Sequence, residues 1–71
     1  MITYKILTTT IVVEDEKHIT YGISCTEDKK EIARIEDISV NKEEVEKTVE
    51  KFNNNKLEPE HFNDAVEDSL I

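Results

Sequence analysis

Seventy-one residues make one domain with room for one small core, and such a core rarely supplies more than about 3–5 kcal/mol unaided. Seventeen acidic against nine basic side chains give a net charge of −8, which disfavours direct nucleic-acid binding, where Lys and Arg must neutralise phosphates. Cys25 is the one cysteine, no His/Cys cluster has structural-zinc spacing, and no apolar run approaches the roughly 18 residues of a membrane span.

That leaves a tightly packed monomer or an oligomer. With no apolar leader behind a basic N-terminus, the chain is expected in the reducing cytosol, where a surplus of carboxylates keeps a small protein soluble.

Residues 2–13, ITYKILTTTIVV, are dense in β-branched side chains and predict a strand. Tyr4 and Ile6 share one parity, whereas Ile11 and Val13 have the other. The alternation therefore slips near Thr8–Thr10, through a bulge or because the strand is apolar on both faces. Glu14–Lys17 reads as a polar turn. The clearest strand is HITYGISCT, residues 18–26, with Ile19, Tyr21, Ile23 and Cys25 on one face and His18, Thr20, Gly22, Ser24 and Thr26 on the other. After a second polar turn at Glu27–Lys30, a third strand is expected over 31–39 with weaker patterning. Such short turns imply an antiparallel meander, because parallel crossovers need a dozen or more residues.

The rest is helical. Asn41 with Glu44 three positions on supplies an N-terminal cap, and Val40 and Val45 stand where a hydrophobic staple would put them. Val45, Thr48, Val49 and Phe52 form one stripe. Asn53–Asn55 should end this helix, since Asn tolerates a left-handed C-cap. Pro59 opens a second helix, with Leu57 placed to staple against Phe62. Its stripe is Phe62, Ala65, Val66, Ser69 and Leu70, opposite Glu60, Asp64, Glu67 and Asp68. The expected fold is α+β: one domain over 1–71, a three-stranded antiparallel meander (1–39) followed by a helical hairpin (40–71). The two helices should pack on one face of the sheet.

With Tyr21-Gly22-Ile23, Asp37-Ile38-Ser39 and the closing LEPEHFNDAVEDSL in view, the chain resembles small proteins of Gram-positive, clostridial-type bacteria grouped as a domain of unknown function. The resemblance runs from about Tyr21 to Leu70 and is carried most specifically by Asn53, Leu57, Pro59, His61, Phe62, Asp64, Val66, Glu67, Asp68 and Leu70. It implies a bacterial cytosolic protein standing alone as one domain. That family has no assigned activity, so the resemblance transfers no functional residue.

Candidate sites are few. His61, Asp64 and Asp68 fall at i, i+3 and i+7, a spacing able to hold a divalent ion, but without a second ligating element it reads as a solvated face. Cys25 shares a face with Ile19, Tyr21 and Ile23 and is expected to be a core hydrophobe rather than a nucleophile paired with His18 or His61. Gly22 has no phosphate-binding loop around it; a bulge or the close approach of another backbone explains it.

Glu67 and Asp68 crowd the C-terminal end of the last helix, against its dipole. Solvation is the plain account, and a docking surface for a basic partner is the functional one. The sequence thus points to a non-enzymatic, cofactor-free acidic interaction module, with partner contacts at Glu60, His61, Asp64, Glu67 and Asp68 and a homodimer through the sheet. The alternative is a nucleic-acid mimic that inhibits a DNA- or RNA-binding protein. Carboxylate rows on several elements would favour mimicry, and an exposed apolar patch beside helical carboxylates would favour the adaptor.

Overall fold

The computed structural model describes residues 1–70, with only the backbone for Leu70. Three strands, β1 (Ile2–Val13), β2 (Glu16–Glu27) and β3 (Lys30–Ser39), form an antiparallel sheet in the order β1-β2-β3. Helix α1 (Lys42–Asn54), a 3-10 turn (Pro59–His61) and helix α2 (Phe62–Leu70) follow. The α+β meander with two helices is the architecture the sequence predicts. Both hairpins close through two-residue turns, Glu14–Asp15 and Asp28–Lys29. All four residues have positive φ, as the right-handed twist of paired strands demands.

The pairing of β1 with β2 is unbroken from Ile2↔Glu27 to Val13↔Glu16. No bulge interrupts Thr8–Thr10, so β1 is apolar on both faces. On the helix-facing side Tyr4 and Cys25 are opposite one another, as are Ile6 and Ile23. Tyr4, Ile23 and Cys25 join Val45, Phe52, Phe62 and Val66 in the core. β3 reaches only to Tyr21, leaving the outer part of the β1–β2 hairpin as a two-stranded ribbon. Val12, Val13 and Ile19 are exposed there.

The irregularities lie between β2 and β3. Ile23 pairs with Ile35 and Tyr21 with Ser39, so Glu36, Asp37 and Ile38 occupy a stretch where regular register would have one residue. Gly22 allows this. A Cβ there would lie 2.2 Å from the Ile35 carbonyl oxygen and 2.9 Å from the Glu36 Cα. Asp37 takes a positive φ inside the bulge, a conformation that Asp tolerates better than most residues. A second shift, beside Thr26, skips Ile32. Around it Glu31 accepts hydrogen bonds from the Ser24 hydroxyl (2.6 Å) and the Arg34 guanidinium (2.8–3.1 Å). These two donors hold its carboxyl below its ordinary range, Arg34 contributing most.

Asn41 caps α1 by accepting from the Glu44 N–H, but its own N–H donates to Ser39 Oγ rather than completing a reciprocal box. The expected Val40 staple does not form, for Val40 is 75% exposed while Val45 is fully buried. Thr48 sits in the buried stripe at low cost because its hydroxyl donates to the Glu44 carbonyl.

The end of α1 also departs from expectation. Asn55, the C-cap, is right-handed, and the left-handed residue is Lys56 (φ 52°). Leu57 N–H then donates to the Phe52 carbonyl and Lys56 N–H to that of Asn53, the pair of bonds that defines a Schellman turn. This turn aims Leu57 back at the core.

Candidate functional site

The bulge in β3 and the flank of α2 enclose a cleft of about 390 Å³. Its apolar surface comes from Ile35 and Ile38, both half-buried, and from Val66, which is buried. Its rim carries the exposed carboxylates of Glu36, Asp37 and Glu67, and no Lys or Arg lines it. Two local causes build the wall. Gly22 lets the β3 backbone approach β2, and the three-residue bulge then turns Glu36–Ile38 out of the ladder. α2 supplies the other wall because Phe62 and Val66 anchor its inner stripe, which leaves Glu67 at the flank.

The electrostatics are one-sided. Glu36 has a long ion pair with Arg34 (3.6 Å), whereas among the described residues Asp37 and Glu67 have none. From Leu57 to Ile71 the chain carries five carboxylate side chains and no Lys or Arg. An apolar floor edged by three carboxylates, two of them without an ion pair, suits a cationic segment bearing an apolar side chain.

Of the residues expected to meet a partner, Glu67 lines this cleft and the others lie elsewhere. Asp64 and Asp68 are exposed on α2, and Glu60 and His61 belong to the 3-10 turn before it. The helical spacing of His61, Asp64 and Asp68 begins outside α2, since α2 starts at Phe62. Among the described residues the group with donor atoms close enough for a metal is Glu58, Glu60 and His61, and all three are exposed. The side chain of Leu70, expected on the stripe, lies outside the described residues.

Cys25 is fully buried, as expected of a core residue, and burial raises its thiol pKa. It therefore lacks the thiolate character a nucleophile needs at neutral pH. The sequence reading missed Glu36, Asp37 and Asn63 as members of the cleft. The signal for the first two was the pairing of Gly22 with a weakly patterned third strand, which together mark a bulge.

No described helix is long and apolar enough to cross a membrane. No curated protein and no solved structure matches the chain. A family model does: it spans residues 1–71, and the chain belongs to the family of unknown function DUF6514.

Proposed function

We propose that the protein is a non-enzymatic interaction module of the bacterial cytosol, docking a basic segment of a protein partner in the cleft between β3 and α2. One observation carries this reading. The carboxylates of Glu36, Asp37 and Glu67 surround an apolar surface of Ile35, Ile38 and Val66 that no Lys or Arg lines, and of the three only Glu36 has a cation, Arg34, within ion-pair distance among the described residues. A partner segment would place an aliphatic or aromatic side chain on that floor and Lys or Arg side chains on the rim. Docking of this kind gains on-rate and specificity from the charges and affinity from the apolar contact. A phosphate-backbone mimic, the other reading of an acidic chain, needs carboxylates but no apolar floor between them.

An NMR titration with a short peptide of alternating Leu and Lys tests the reading. Shifts should concentrate at Ile35, Ile38, Val66 and Glu67, weaken with salt, and disappear in an Asp37→Lys/Glu67→Lys variant. An Asp64→Lys/Asp68→Lys variant should still bind. Shifts confined to the outer face of α2, or spread over every carboxylate alike, would overturn it.

A further inference from the structure

The outer edge of β1 is a chemical palindrome. From Ile6 to Val12 it reads Ile-Leu-Thr-Thr-Thr-Ile-Val, so either direction meets two aliphatic residues, three threonines and two aliphatic residues. An antiparallel strand pairing with its own copy about Thr9 sets Ile6 against Val12, Leu7 against Ile11 and Thr8 against Thr10.

The backbone is open over the same window. β1 is an edge strand, and at Tyr4 that edge is closed by the Asn53 carboxamide, which accepts from the Tyr4 N–H (2.8 Å) and donates to its carbonyl (2.9 Å). Tyr4 therefore points its backbone groups outward. With unbroken register against β2, the alternation of an antiparallel ladder turns those of Ile6, Thr8, Thr10 and Val12 outward as well. At the far end the window stops at the Glu14–Asp15 turn. Thr9 lies midway between Tyr4 and Glu14, so the open edge and the palindrome share one centre.

We propose that two copies of the chain join β1 to β1 across a two-fold axis at Thr9, forming one continuous sheet with three strands from each. The even-numbered residues meet in hydrogen-bonded pairs, and Thr9 meets its counterpart in a non-hydrogen-bonded pair on the axis. On the helix side, Val12, which is 66% exposed in the single chain, comes beside Ile6 of the other copy. It arrives there at the groove between β1 and α1, whose apolar part is Ile6 and Val49. On the opposite face Leu7 meets Ile11.

Charge admits a second copy along this edge, although Glu46 and Glu50 line the groove beside it. A chain of net charge −8 repels itself over most of its surface, yet β1 carries no carboxylate, and Lys5 is its one charge. In this register Lys5 approaches Glu14 and Asp15 of the second copy. A long, β-branched edge of this kind, guarded only at its start, is the feature that monomeric sheet proteins avoid. Because the cleft lies against β3, at the other edge of the sheet, the dimer presents two clefts pointing away from each other.

Cysteine cross-linking and sedimentation equilibrium test the geometry. Thr9→Cys should oxidise to a covalent dimer of twice 8.2 kDa, because facing residues of a non-hydrogen-bonded pair lie within disulfide range. Ile11→Cys alone should not, whereas Leu7→Cys mixed with Ile11→Cys should. Cys25 is buried and does not compete. Thr10→Pro removes an outward N–H without touching the β1–β2 ladder and should sediment as a monomer where the parent chain is dimeric. A parent chain that stays monomeric at hundred-micromolar concentration overturns the proposal. So does an Ile11→Cys variant that cross-links as readily as Thr9→Cys. Should Thr10→Pro fail to fold, the cysteine set decides alone.

Discussion

Asn53 and Tyr4, 49 positions apart, are joined by two hydrogen bonds, so a side-chain amide takes the place of a neighbouring strand. A few residues on, the Tyr4 hydroxyl donates to the Leu57 carbonyl at 2.7 Å. The end of α1 is thereby fixed to the edge of the sheet through polar bonds as well as through Phe52. Asn53→Ala leaves both Tyr4 groups to be satisfied by water alone. It should cost about 1–3 kcal/mol in urea unfolding, the penalty for unpairing half-buried polar groups. Asn53→Asp keeps the acceptor but sets a carboxylate against the Tyr4 carbonyl, so it too should be destabilised. A variant as stable as the parent would mean the amide only decorates the edge.

Three rings make the centre of the core. Tyr4 lies 5.5 Å from Phe52 and 5.4 Å from Phe62, and the two Phe rings are 6.3 Å apart and nearly perpendicular. Phe62 is buried and is the main anchor of α2. Phe62→Ala should cost about 3–5 kcal/mol. That is as much as a core of this size supplies, about 3–5 kcal/mol. The variant should therefore be largely unfolded at 25 °C by circular dichroism. A cooperative transition close to that of the parent would show that the ring contributes little.

Where one face of an element is buried and the other is wet, the sequence was readable. The Asn41 cap and the Val45–Phe52 stripe mark α1 in this way, whereas in β2 the alternation places Ile23 and Cys25 in the core but Ile19, of the same parity, is exposed and Thr20 and Ser24 on the other face are buried. β1 was ambiguous because its outer half is covered by neither helix, so parity there carries no burial signal. The Val40 staple is absent: Ser39, not Glu44, accepts from the Asn41 N–H, and Val40 lies out in water. The cleft was illegible for another reason. Gly22 announces a close approach, but which residues of β3 leave the ladder is set by pairing across the sheet, and only that pairing brings Glu36 and Asp37 next to Glu67.

Gly22→Ala tests the wall of the cleft. In an ordinary strand this change is mildly favourable, since alanine narrows the unfolded ensemble by about 0.4–1 kcal/mol. Here the added carbon would meet backbone at 2.2 Å and 2.9 Å, which no rotamer change relieves. β3 must shift, at a cost of about 1–3 kcal/mol or more. Hydrogen exchange at Ile35–Ile38 should rise more than at β1. Unchanged exchange there would contradict the packing described.

Lys56 should be improvable. Its φ of 52° closes the Schellman turn, and a left-handed conformation costs an L-residue with a Cβ about 1–2 kcal/mol that glycine avoids. Offset by the larger entropy of glycine in the unfolded chain, Lys56→Gly should still raise stability by roughly 0.5–1 kcal/mol. A lower urea midpoint would show that the lysine side chain has a role there that its exposure does not suggest.

Alkaline pH should unfold the protein earlier than its acidic composition implies. Burial raises the pKa of the Cys25 thiol, and burial, together with contact with Cys25, raises that of the Tyr4 phenol. Both groups are neutral when protonated, and the folded chain holds both protons to higher pH than the unfolded chain does. Their contribution is therefore complete below the unfolded values, about 8.5 for a thiol and 10 for a phenol, and is lost as pH rises beyond them. Each group lowers unfolding free energy by about 1.4 kcal/mol per pH unit within its window, so stability should decline progressively above about pH 8.5. Urea midpoints taken from pH 6 to 11 should be level to pH 8 and then fall. Cys25→Ala should delay the fall until the phenol titrates, although its midpoint at neutral pH will be lower for the lost packing. A parent curve level to pH 11 would mean that water reaches both groups in the folded state.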